Sequence, residues 1–188
     1  AGELVMRQVT DLVAPDLLES ERLKVADTHY LDEQPLQAID GQWTYEPEDW
    51  EFSVAMVAHH LQRAEAFHVE TLPGGLFEGL VLDQQSIVNI QPSDPYGDWS
   101  SNAFYRKPQF GDPVQRNLFG FGAGGNEFRN TAHDVDVVFH EYGHAVTWEL
   151  TTFNDADCAI HDPEFGATNE ALADYAAATV HDNSTVGE

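Results

Sequence analysis

The chain has 188 residues, with 33 acidic side chains against 8 basic ones and a net charge of −25 at pH 7. So negative a surface argues against nucleic acid and anionic membranes as partners. No apolar run reaches the length of a membrane helix, and a single cysteine excludes an internal disulfide. The 42% hydrophobic fraction, with four Trp, six Tyr and eleven Phe, suits one globular domain with a real core. The charge reads first as a solvated surface and second as an attraction for cations and basic peptides.

Residues 1 to about 25 mix acidic and aliphatic side chains around Pro15 and read as a linker or pre-domain segment. The domain proper is expected over residues 26–188. Residues 26 to 48 read as irregular strands and turns, with the cluster Glu46-Pro47-Glu48-Asp49 as a turn. Ser53 is positioned to cap a helix running to about Leu72, with Val54, Val57, Leu61, Ala64 and Phe67 on its buried face. His59, His60 and His68 lie on this helix. Adjacent helical residues point about 100° apart, so His59 and His60 do not readily share a metal, and a structural role is expected for all three. Pro73-Gly74-Gly75 ends the helix.

Leu80-Val81-Leu82 and Ser86 to Ile90 are strand candidates. Asp94-Pro95-Tyr96-Gly97-Asp98 reads as a turn, and Ser101 to Tyr105 as an edge strand. Asn117 to Gly122 alternates as a strand does. The glycine-rich run that follows lacks the lysine of a phosphate-binding loop and reads as a connection.

A helix follows from about Asp134 to Leu150, with Thr131 or Asp134 available as its cap. It contains His140-Glu141-Tyr142-Gly143-His144. Two histidines four apart stack on one helical face and can offer imidazoles to a single metal. Glu141 is placed to act as general base on a water held by that metal. Zinc needs a further protein ligand. The pattern that would supply a third histidine fails, because Thr147 and Leu150 stand where Gly and His are required. A second helix, from Ala167 to Val180, carries Glu170 and Asp174 four apart. Glu170 can complete the ligand set while Asp174 accepts a hydrogen bond from the distal nitrogen of a ligand histidine. Residues 151–163, with Asp155, Asp157 and Cys158, read as a polar loop between the two helices.

These motifs resemble those of thermolysin-like zinc metallopeptidases of the Glu-zincin type. The matching stretches are Asp136 to Val146, Asn169-Glu170-Ala171 with Asp174, and Asn102-Ala103-Phe104-Tyr105. The 25 residues between His144 and Glu170 are similar to the longer spacing of the fungalysin-like branch. The resemblance implies an α+β, zincin-like fold: a twisted, mainly antiparallel sheet packed with the His-bearing helix and a following Glu-bearing helix. It implies zinc on His140, His144 and Glu170, with Glu141 as base and Asp174 orienting His140. Asn102 and Ala103 become contacts to the backbone of a peptide or protein substrate. Asp136 becomes a candidate calcium ligand. The family is secreted; its oxyanion-stabilising His lies in a helical domain beyond the Glu helix, and no tyrosine stands between Tyr142 and Tyr175 to serve as its usual partner. The chain therefore reads as the zinc-bearing part of the catalytic domain, without the C-terminal helical subdomain. Two functions are weighed on this basis: a zinc endopeptidase, and a zinc-stabilised, catalytically incomplete module that binds peptide. A metal-free, purely structural helix is disfavoured, since the third ligand and its orienting Asp are both in place.

Overall fold

The computed structural model describes residues 23–27, 36, 43–71, 84–94, 97–107, 117–125, 129–150 and 163–181. Among them the order of elements is β1 (Leu23–Asp27), α1 (Trp50–Thr71), β2 (Gln84–Ile90), β3 (Ala103–Arg106), β4 (Asn117–Gly122), α2 (Val135–Leu150) and α3 (Pro163–His181). Strand order in the sheet is β1-β2-β4-β3.

The class is α+β, and the sheet is mixed. β1 pairs with β2 and β2 with β4 in parallel, while β3 pairs with β4 antiparallel. Two of three pairings are thus parallel, where the resemblance led to a mainly antiparallel sheet. Parallel neighbours require a long crossover. Here α1 lies between β1 and β2 in the chain, and β3 between β2 and β4. Short apolar runs in a sequence carry no pairing direction, so this arrangement is not written locally. β1 also lies across the boundary between residues 25 and 26, and its Leu23 and Val25 are buried in the core. The remainder of the expected pre-domain segment, residues 1–22, is outside the described residues, as are Leu80-Val81-Leu82, Pro73-Gly74-Gly75 and the polar loop with Cys158.

One face of the sheet carries the main core. Leu23, Val25, Val88, Phe119 and Phe121 meet Val54, Val57, Leu61 and Ala64 of α1 and Val138, Phe139, Tyr142 and Ala145 of α2. Ile87, Ile90 and Leu118 form a second cluster with Phe104. All six residues of β4 are buried, although alternation suggested one exposed face. The strand is central and covered on both sides. Gly120 makes this possible, because a Cβ there would lie 2.1 Å from the Phe104 ring.

The apolar spacing of α1 predicts its buried face well, but Ser53 is not its cap. The helix begins three residues earlier, and Ser53 is buried with its hydroxyl 2.9 Å from His133 Nε2. Asn130 Nδ2 donates to the same hydroxyl at 3.2 Å and to Asn89 Oδ1 at 2.7 Å. Asn89 itself donates to the Trp50 carbonyl and has φ 57°, at the register shift in β2. Asn and Asp tolerate this left-handed region better than most residues. This network ties the start of α1, the end of β2 and the turn before α2 into one joint. Partners 39 to 80 residues apart give no local signal.

Asp134 caps α2. Its Oδ1 accepts the backbone N–H of Asp136 at 3.0 Å and of Val137 at 3.4 Å. Such a cap stabilises a helix by about 1 kcal/mol. Thr131 belongs instead to a 3₁₀ turn capped by Asn130, whose Oδ1 accepts the Ala132 N–H at 2.9 Å. α3 starts at Pro163, four residues before the predicted Ala167; proline is favoured as a first helical residue, where its missing N–H costs nothing.

His59, His60 and His68 are all buried in α1. His68 Nδ1–H donates to the Ala64 carbonyl at 2.7 Å, and its ring lies 5.2 Å from that of Tyr142. Burial holds the His68 imidazole below its ordinary value, with the bond to Ala64 opposing the shift. A histidine with a depressed folded-state pKa contributes stability that is present above its unfolded value, about 6.5, and is lost as pH falls below that value. His68→Phe is therefore expected to show a shallower loss of stability than the wild type on acidification from about pH 7 to about pH 5. Urea midpoints measured across that range test this; parallel slopes would mean that His68 protonates in the fold at no cost.

Candidate metal centre

The helical repeat sorts α2 into two sides. Val138, Tyr142 and Ala145 enter the core, while His140 and His144 sit at its rim with side chains 17% and 10% exposed. Their rings meet edge to face, with centroids 4.6 Å apart and planes at 86°. α3 brings Glu170 opposite them. Glu170 Oε2 lies 3.2 Å from His140 Nε2 and 3.6 Å from His144 Nε2. One ligand atom from each of the three residues falls within 4.8 Å of the other two, and no other such trio of His, Cys, Asp or Glu forms among the described residues.

These spacings can be tested against a metal. Ligands about 2.0–2.1 Å from a tetrahedral ion stand about 3.3–3.4 Å from one another. The two His–Glu distances bracket that value. The donor set of two imidazoles and a carboxylate is also one that zinc accepts while leaving a fourth position open. The residues present therefore fit a metal ion.

His140 Nδ1 is 2.8 Å from Asp174 Oδ1. With Nδ1–H donating to the carboxylate, the lone pair of Nε2 faces Glu170 and the metal position. Burial first, and then the neighbouring His140, hold the His144 imidazole below its ordinary value. It is thus neutral near pH 7, which is the form that binds metal. Asn169 also interacts with the His144 ring through its side chain. The sequence reading passed over Asn169 as a site residue; its place immediately before Glu170 was the available signal.

Glu141 is buried, and its carboxyl is pushed up to about 8, chiefly by desolvation and then by the Glu170 carboxylate. A cation among the three ligands acts in the opposite direction.

The other sequence candidates are Asn102, Ala103 and Asp136. Ala103 opens β3, which is at the edge of the sheet among the described strands and packs on α2. Asn102 Oδ1 accepts the Ala103 N–H at 2.9 Å, and the Asn102 carbonyl accepts the Gly122 N–H at 2.9 Å. Asp136 is buried in the first turn of α2, and no metal-capable trio among the described residues includes it.

Residues 83–187 match the model of the fungalysin metallopeptidases (M36). The chain belongs to that family. No curated protein matches it. Among solved structures it resembles the precursor of protealysin, a metalloproteinase from Serratia proteamaculans, with a TM-score of 0.53 and 20% sequence identity. That likeness covers 85% of this chain and 43% of the protealysin precursor, and at this identity it concerns the fold. This fungalysin-family chain thus spans less than half of the structure it matches. Among its described residues no helix is long and apolar enough to cross a membrane. Membership in a metallopeptidase family agrees with a metal between His140, His144 and Glu170.

A ligand that binds only the folded state stabilises it by mass action, by roughly 2.7 kcal/mol at a hundredfold excess over Kd. Zn2+ is accordingly expected to raise the melting temperature of the wild type, a chelator to reverse the rise, and Glu170→Ala to remove most of it. Calorimetry of the two proteins with and without Zn2+ checks this. An equal rise in both would place the ion elsewhere.

Proposed function

We propose that this chain is the metal-bearing part of a secreted, zinc-dependent endopeptidase. The observation that carries the reading is the placement of two imidazole nitrogens 3.2 and 3.6 Å from one carboxylate oxygen, with Glu141 buried one residue beyond His140. Zinc held there supplies Lewis acidity toward a peptide carbonyl and acidifies water. His140, His144 and Glu170 hold the ion, and Asp174 keeps His140 in the tautomer that binds it.

Glu141 moves the proton. Its carboxylate takes a proton from the water whose oxygen attacks the scissile carbonyl carbon. As the C–N bond breaks, Glu141 passes that proton to the departing amine nitrogen. Ala103 begins, and Asn102 directly precedes, a strand at the edge of the sheet among the described strands, against which an extended peptide can lie by strand addition. The zincin-like domain is assigned to the expected residues 26–188 together with residues 23–25, since β1 begins at Leu23 and its Leu23 and Val25 are buried in the core. The sequence's candidate calcium ligand, Asp136, enters no part of this mechanism.

Glu141→Gln keeps the shape of the side chain and removes its basicity. This variant is expected to bind Zn2+ as the wild type does and to lose about 100- to 10,000-fold in kcat/KM on a quenched peptide library. Undiminished turnover would rule out Glu141 as the base. Zinc-loaded wild type that binds peptides without cutting them would favour a peptide-binding module instead.

A further inference from the structure

Gly143 sits in the interior of α2, where glycine is unfavourable relative to alanine. Its place is explained by what lies across from it. A Cβ at Gly143 would stand 2.9 Å from Ala173 Cα, 3.3 Å from Ala173 Cβ and 3.5 Å from the Ala173 carbonyl oxygen. Two of those three atoms are backbone, so no side-chain rotation relieves the contact. Ala173 is fully buried, as is Ala177 one turn later.

The two small residues occupy matching places in the site. On α2, Gly143 follows His140 by three residues and precedes His144 by one. On α3, Ala173 follows Glu170 by three and precedes Asp174 by one. The point where the two backbones approach is therefore framed by ligands on one helix and by a ligand and its orienting carboxylate on the other.

We propose that Gly143 is a positioning residue for the metal centre: its bare Cα lets α3 approach α2 closely enough for Glu170 and Asp174 to reach the two histidines. This rests on the metal-site reading above. The magnitudes support it. Carbon atoms in contact prefer about 3.5–4.0 Å, so a methyl group on residue 143 requires α3 to retreat by roughly half an ångström or more. Metal–ligand distances tolerate only about 0.2 Å. Glu170 has a long, exposed side chain that can follow part of the retreat. Asp174 is short, so its 2.8 Å bond to His140 stretches first.

The test is Zn2+ affinity by competition with a chelating dye, with Co2+ absorption as a report on ligand geometry. Metal-free circular dichroism and melting are measured alongside. Gly143→Ala is expected to keep the metal-free fold, bind Zn2+ about 10- to 100-fold more weakly and shift the Co2+ spectrum. Ala171→Gly weakens the exposed side of α3 without touching the contact and is expected to bind as the wild type does. If Gly143→Ala does not fold, Ala173→Ser decides the matter, since it adds one atom to the same contact from the α3 side and is expected to weaken binding several-fold. Wild-type affinity in the folded Gly143→Ala protein, or in Ala173→Ser where that one is needed, overturns the proposal. A loss in Ala171→Gly equal to that in Gly143→Ala overturns it too, because helix weakening alone would then account for both. Failure of the wild type to bind Zn2+ is a separate result, and sinks the metal-site reading itself.

Discussion

The centre of the molecule is the Tyr142 side chain, which has no solvent exposure. Its ring lies parallel to that of Phe119 in β4, with centroids 6.2 Å apart, and 5.2 Å from His68 of α1. Sheet, α1 and α2 thus converge on one residue, and that residue separates Glu141 from Gly143. A ring locked between two elements cannot rotate about the axis of its own helix. The rotational setting of α2 is fixed, and with it the directions in which His140, Glu141 and His144 project. Precision at the site derives from apolar packing on the opposite side of the same helix.

The site is also divided by its wetness. The imidazoles come from the dry helix, with side chains 17% and 10% exposed, while Glu170 and Asp174 come from the wet one at 62% and 58%. Neutral imidazoles can be buried at modest cost, whereas an isolated buried carboxylate is expensive unless it is paired. Placing the two anionic groups at the surface avoids that cost before metal arrives. Glu141 is the exception, a buried carboxylate with a raised proton affinity. That departure falls on the residue proposed above to accept a proton.

Much of this was legible in the sequence, for reasons that can be located. The histidine spacing, the Asn169-Glu170-Ala171 run and Asp174 are local patterns on helices, and a helix converts spacing directly into geometry. The buried face of α1 followed from its apolar period in the same way. What was not legible is nonlocal. Ser53 resembled a cap because serine caps helices, yet its partner is His133. The direction of strand pairing depends on crossovers that no short segment contains. Gly143 carries no signal of its own in the sequence, since nothing in α2 alone reveals Ala173.

The packing of α3 has a consequence for how the protein fails. Its backbone comes close to α2, but among its described side chains only Ala173 and Ala177 are buried, with Trp148 meeting Phe165 edge on. Two alanines remove little apolar surface from water, and the rest of its hold on the core is its close backbone contact with α2 and the partly buried Val180. Regions with few buried contacts open before the global transition. α3 carries the residues proposed as the third ligand and its companion carboxylate, so a local opening of this helix would take the metal site apart while the sheet and the first two helices still stand.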